Sequence, residues 1–214
     1  MLDKISRSNS FEENMQIIEM ESRRLFNSDL EEFQNTDYHA DFDELVTIIK
    51  NNKDKSVNNL QNQLLSKLEK ELTLNQLHYV NQMVELTSSL SLTKAEVMSK
   101  FDLMEDNIRR NVPKHEQPAL LAGLYMGKSS YQYWQENGSK WAEKLQPENL
   151  RLTGHPTDGQ LICGADVAGA ISGALSVGFA AWAVGPVGWV FGTLFIAGSA
   201  LVSSGGAALI VYSK

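Results

Sequence analysis

The chain has one cysteine, Cys163, in 214 residues, so it forms no internal disulfide and is compatible with a reducing interior. It lacks a basic excess: 19 Lys and Arg stand against 26 Asp and Glu, a net charge of −7 that would repel nucleic-acid phosphates. It has only four histidines (His39, His78, His115, His155), none within an HExxH, GxSxG or Cys–His arrangement, and no glycine-rich phosphate loop with its lysine. No catalytic residues, metal site or cofactor are therefore expected. No run of useful length alternates apolar and polar residues, which argues against a sheet. Met1 to Asn14 contains no 7–15-residue apolar stretch of the secretory-signal kind.

The largest absence is of charge. From Val167 to Tyr212 there are 46 residues without an ionisable acid or base, interrupted near the middle by Gly185-Pro186-Val187-Gly188. One helix needs ~20 apolar residues to cross the hydrocarbon layer, so this length predicts two helices joined by a turn at Gly185 and Pro186. The same pattern describes two helices buried in the middle of a soluble bundle.

The two halves differ. In the first, Ala165, Gly169, Ser172, Gly173, Ser176, Ala180 and Ala183 share one helical face, while Val167, Ile171, Leu175, Phe179 and Trp182 lie on another. A face of small residues lets helix backbones approach closely, so it predicts a helix partner. Gly188, Gly192, Ser199, Ser203 and Gly206 form a similar stripe in the second half. The two stripes can meet each other or meet other copies, and a homo-oligomer through them is expected. Six strong inserters in the first half supply only about −2 to −4 kcal/mol, whereas the second half has ten and should enter lipid more readily.

The remaining sequence is charged. Residues 1–150 hold 17 of the 19 bases and 24 of the 26 acids, and 11–44 alone has eleven acids against Arg23 and Arg24. Ser10 to Glu13 and Thr93 to Glu96 match the capping box that starts a helix. Between them Val57, Leu60, Leu64, Leu65, Leu68 and Leu72, then Leu74, Leu77, Val80 and Val84, keep three-four spacing. Breaks are expected over 27–40, at Asn51 to Asp54, and between Pro113 and Pro118. Asp41 reads as a helix cap in preference to a metal ligand in His39-Ala40-Asp41-Phe42-Asp43. The expected fold is all-α: a body of about five or six helices over 1–144, a linker over 145–160 containing Pro147, Gly154, Pro156 and Gly159, and a hydrophobic helical hairpin over 161–214.

Residues Leu120 to Gly127 precede Tyr131, Tyr133, Trp134 and Trp141, aromatics suited either to a headgroup layer or to a helical core, with core favoured. Tyr131-Gln132-Tyr133-Trp134, followed by Ala165-Asp166-Val167-Ala168-Gly169-Ala170-Ile171-Ser172-Gly173-Ala174, resembles uncharacterised bacterial proteins ending in an Asp-x-x-Gly-Ala-x-x-Gly-Ala glycine zipper. The resemblance covers about the last 95 residues. In layout the chain is also similar to colicin pore-forming domains, with more glycine in the hairpin and no amphipathic helix after Tyr212.

Two functions are compatible with this pattern. One is a membrane-active protein, pore-forming or bacteriocin-like, whose acidic body keeps the hairpin soluble until it meets a lipid bilayer. The other is a non-lytic membrane anchor whose helical body binds a protein partner of unknown identity. Lys140, Lys144, Arg151 and Lys214 place the body on the cytoplasmic side, unless the protein is released and inserts from outside. Asp166, at the hairpin entrance, is the candidate pH trigger, because acid would neutralise it and ease its entry into lipid while relieving repulsion in the crowded acidic body.

Overall fold

Local capping sets where several helices begin. The Ser10 amide donates to the Glu13 carboxylate at 2.6 Å while Ser10 Oγ accepts from the Glu13 amide at 3.1 Å, the reciprocal pair expected there. Thr93 and Glu96 repeat it, as do Thr73 and Gln76, and Ser56 caps a further helix. The computed structural model describes the backbone of 1–26, 38–89, 91–145, 156–183 and 186–212, and side-chain surroundings for 1–26, 39–89, 91–145, 162–176 and 192–212.

The helices are α1 (Phe11–Phe26), α2 (Tyr38–Lys50), α3 (Val57–Leu68), α4 (Leu74–Ser88), α5 (Lys94–Asn111), α6 (Gln117–Leu145), α7 (Pro156–Ala183) and α8 (Pro186–Tyr212). Eight exceeds the five or six expected of the body, since two helices follow it. Among the described residues there is no strand. Several boundaries move. Pro118 lies inside the first turn of α6, where a missing N–H costs nothing, and the break there ends at Glu116. Helix α7 begins at Pro156, so the expected linker stops short of 160; residues 146–155, with Pro147 and Gly154, lie outside the described residues. Asp41 is not a cap, because α2 already starts at Tyr38 and Asp41 falls in its first turn. Gly185 of the expected turn lies outside the described residues, and Pro186 is the first residue of α8.

Helices α7 and α8 pack on each other and the rest pack around them. Helix α6 runs against α7, α3 and α4 cross α7, and α1 and α2 cover α8. Leu60, Leu64 and Leu68 of α3 and Val80 of α4 are buried as their spacing predicts, whereas Leu74, at the start of α4, is 88 % exposed; Met15, Ile18 and Phe26 of α1 and Val97, Phe101 and Ile108 of α5 are buried as well. Phe26, Phe42 and Phe195 tie α1, α2 and α8 together edge-to-face, with ring centroids 5.0 Å (Phe26–Phe42) and 4.9 Å (Phe26–Phe195) apart. Each such pair adds about 0.5–1.5 kcal/mol beyond area burial. Tyr131, Trp134 and Trp141 are core residues, whereas Tyr125 and Tyr133 are exposed.

Candidate functional site

The contact between α7 and α8 is built from glycine and serine. A Cβ on Gly169 would stand 2.7 Å from the Ser199 carbonyl oxygen and 2.8 Å from Ser203 Cβ. One on Gly173 would stand 2.8 Å from Ser199 Oγ and 3.1 Å from Ile196 Cα. Both pairings sum to the same register, 169 with 203 and 173 with 199, so the helices run antiparallel here. Absence of a side chain on α7 is what permits this approach. The serine hydroxyls stay within their own helices: Ser203 Oγ donates to the Ser199 carbonyl at 2.8 Å and Ser176 Oγ to the Ser172 carbonyl at 2.9 Å.

The opposite face of α7 is large and meets glycines on another helix. A Cβ on Gly127 of α6 would fall 2.9 Å from Val167 Cγ2, and one on Gly123 would collide with Ile171. Residues Gly123 and Gly127 are four apart and so lie on one face, a spacing readable in the sequence that the analysis of α7 and α8 alone did not use.

Not every residue of the second stripe joins the seam. Gly206 is directed at Ile49 of α2, because it stands about 60° around the helix from Ser203. Gly192 is buried, and Gly188 lies among residues whose surroundings are not described. Gly198 and Gly205, which the stripe omitted, face α1 instead: their Cβ positions lie 2.8 Å from Phe26 Cδ1 and 2.8 Å from Ile18 Cγ2 respectively.

Asp166 sits where α6, α7 and α8 converge, not at an entrance. It is 4 % exposed. Ser130 Oγ donates a short hydrogen bond to Oδ2, and Trp134 Nε1 donates to the same oxygen at 3.1 Å. Burial pushes the carboxyl up to about 7, against hydrogen bonds from Ser130, Ser204 and Trp134 that favour the carboxylate. No cation approaches it among the described residues. Cys163, one turn earlier, is also buried, and desolvation together with the Asp166 charge raises its thiol well above the usual range. A buried thiol kept protonated is a packed side chain, not a nucleophile.

An open cleft of about 390 Å³ between α4 and α5, with Glu85 and Lys100 beside Leu86 and Leu103, contains none of the residues singled out by sequence. Among the described residues no three His, Cys, Asp or Glu side chains are grouped to hold a metal ion. His39 and Asp41 supply no such group, and Asp43 instead pairs with Arg23. Comparison with protein families, curated proteins and solved structures finds no match to the chain.

Proposed function

We infer that this chain is a membrane-active helical protein that carries its membrane-competent segment inside its own body, as a pore-forming or bacteriocin-like effector does. The observation behind this reading is α8. Gly192–Tyr212 is 21 residues long, apolar enough to cross a bilayer, and 78 % of its most apolar window is enclosed by protein. A core helix of an ordinary soluble bundle has similar length and burial, so composition has to separate the two. Gly198, Gly205 and Gly206 each cost a helix interior about 0.8–1.0 kcal/mol relative to alanine, a cost offset here by close helix contacts. Helices that associate in lipid favour small residues at such contacts.

On this reading α8 inserts and α7, whose described apolar stretch Ile162–Ser176 is shorter than a span, accompanies it as the other arm of a hairpin. The partner is a lipid bilayer, other copies associate through the small-residue faces, and neither catalysis nor a cofactor is involved. The body stays cytoplasmic if the producing cell inserts the protein, and lies outside the target membrane if it is released.

The test begins with the full chain purified without detergent and sized, then added to dye-loaded vesicles of phosphatidylcholine and phosphatidylglycerol. Dye release supports an effector. Binding without release supports the runner-up, a quiet anchor presenting the helical body to a protein partner. A monomer that neither binds nor releases dye at any pH from 7 to about 4 removes both readings.

A further inference from the structure

We propose that α1 is a releasable strap whose seat on α8 keeps the membrane-competent helix closed, an inference that rests on the membrane reading above. Helix α1 packs mainly along α8, and α2 touches it at the Phe26–Phe42 ring pair and through ion pairs at the rim. Its buried stripe is Asn14, Met15, Ile18, Ser22 and Phe26, and its exposed residues are Glu12, Glu13 and Arg24 with the uncharged Gln16 and Met20. It runs antiparallel to α8, since Ile18 meets Gly205 and Phe26 meets Gly198.

The middle of that contact is flawed. Ser22 is fully buried, yet its hydroxyl has no hydrogen-bond partner. A buried hydroxyl left unpaired is more favourable exposed to water than closed, so the seam carries a fixed penalty that is relieved when α1 lifts. The rest of the attachment lies at the rim. Glu12 pairs with Lys53 at 2.6 Å, Glu19 with Lys50 at 3.1 Å, and Asp43 with Arg23, all linking α1 to α2 or the turn after it across partly exposed surface. Exposed pairs of this kind hold weakly and are screened by salt. Apolar burial of Ile18 and Phe26 therefore provides most of the grip, opposed by one orphan hydroxyl. Lifting α1 uncovers Gly198 and Gly205, a face of α8 distinct from the Ser199 and Ser203 face that α7 occupies. At Gly198 and Gly205 the uncovered face has no side chain, which suits close approach of another helix in lipid.

The two sides of the seam predict opposite effects. Ser22→Ala removes the unpaired hydroxyl and should hold α1 closed more tightly. Gly198→Ala places a methyl against Phe26 and 2.9 Å from the Ser22 carbonyl oxygen, backbone that cannot swing aside, and should loosen it. Gly206→Ala crowds α2's Ile49 and serves as the control. Hydrogen exchange over residues 11–26 of the intact chain, at neutral pH without lipid, reads the strap directly. The rate of association with phosphatidylcholine–phosphatidylglycerol vesicles at about pH 4 reads the consequence.

The expected result is α1 exchange faster than that of α4 and α6 in the parent. Both exchange and vesicle association should be slower in Ser22→Ala, by on the order of tenfold, and faster in Gly198→Ala. Gly206→Ala, which presses on α2 at Ile49 beside the Lys50 that pairs with Glu19, should speed α1 exchange less than Gly198→Ala does. Variants that shift α1 exchange as stated but associate with vesicles at the parent rate would overturn the strap while leaving the membrane reading intact. So would α1 exchange as slow as that of the core helices. If neither the parent nor Gly198→Ala binds vesicles, the membrane reading fails and takes the strap with it.

Discussion

Trp134 of α6 donates its indole N–H to Asp166 of α7 at 3.1 Å, fixing the most deeply buried carboxyl among the described residues between two helices, with no described cation beside it. The consequence for stability has a definite sign. The folded carboxyl titrates near 7 and the unfolded one near 3.8, so between those values the folded chain binds more protons. Stability therefore rises as pH falls from 7 toward 4, by at most about 1.4 kcal/mol per pH unit from this group. Protonation of Asp166 thus stabilises the closed bundle in water. Asp166→Asn should abolish this slope, which urea unfolding at a series of pH values from 4 to 8 measures. A parent whose stability rises with pH over that window would contradict the assignment.

Acid also acts at the rim of α1, in a lower window. The Lys53 hydrogen bond holds the Glu12 carboxyl below its ordinary 4.5, and the Lys4 hydrogen bond does the same for Glu21. Groups with depressed folded values contribute stability above the unfolded value and lose it as pH falls through the folded one. Vesicle binding should thus stay low from pH 7 to 5 and rise only below about 4.5. Binding already complete at pH 6 would point to a different trigger.

Gly169 and Gly173 matter to the folded state before they matter to any membrane state. Gly173→Ala returns up to ~1 kcal/mol of helix propensity but drives a methyl into Ser199 and toward the backbone of Ile196, so overpacking of about 1–3 kcal/mol prevails. Gly169→Ala, facing the Ser199 carbonyl at 2.7 Å, should behave likewise. The double leucine variant should fail to yield folded protein. Partly exposed Ser176→Ala should stay within about 0.5 kcal/mol of the parent. Urea midpoints of the soluble proteins decide among these.

Removing residues 146–214 should not leave an independent domain. Ile18, Phe26, Ile49, Gly123 and Gly127 all seat on α7 or α8, and Gln61 of α3 lies against Gly164. A 1–145 fragment should keep helical circular dichroism, since its caps and spacing are local, but lose a cooperative thermal transition and expose apolar surface to a hydrophobic dye. A sharp two-state transition in the fragment would restore the separate-body reading.

Much of this was already legible in one dimension. Helical identity followed from three-four spacing and from hydroxyl–carboxylate pairs three residues apart, because a cap and an amphipathic stripe act within a turn or two. The uncharged stretch after Asp166 likewise marked the most apolar helices, and the small face of α7 pointed to a helix partner there, while the neighbour of its large face was not foreseen. What periodicity cannot supply is the identity of a distant neighbour. Only the packing decided that the small face of α7 meets Ser199 and Ser203, that its large face meets Gly123 and Gly127, and that Gly198, Gly205 and Gly206 turn away toward α1 and α2. Only packing, too, carried Asp166 from an apparent entrance to the core, where protein in place of water raises the pH at which it titrates. Local rules determined what each helix is, and the three-dimensional exclusion of water determined what each residue on it does.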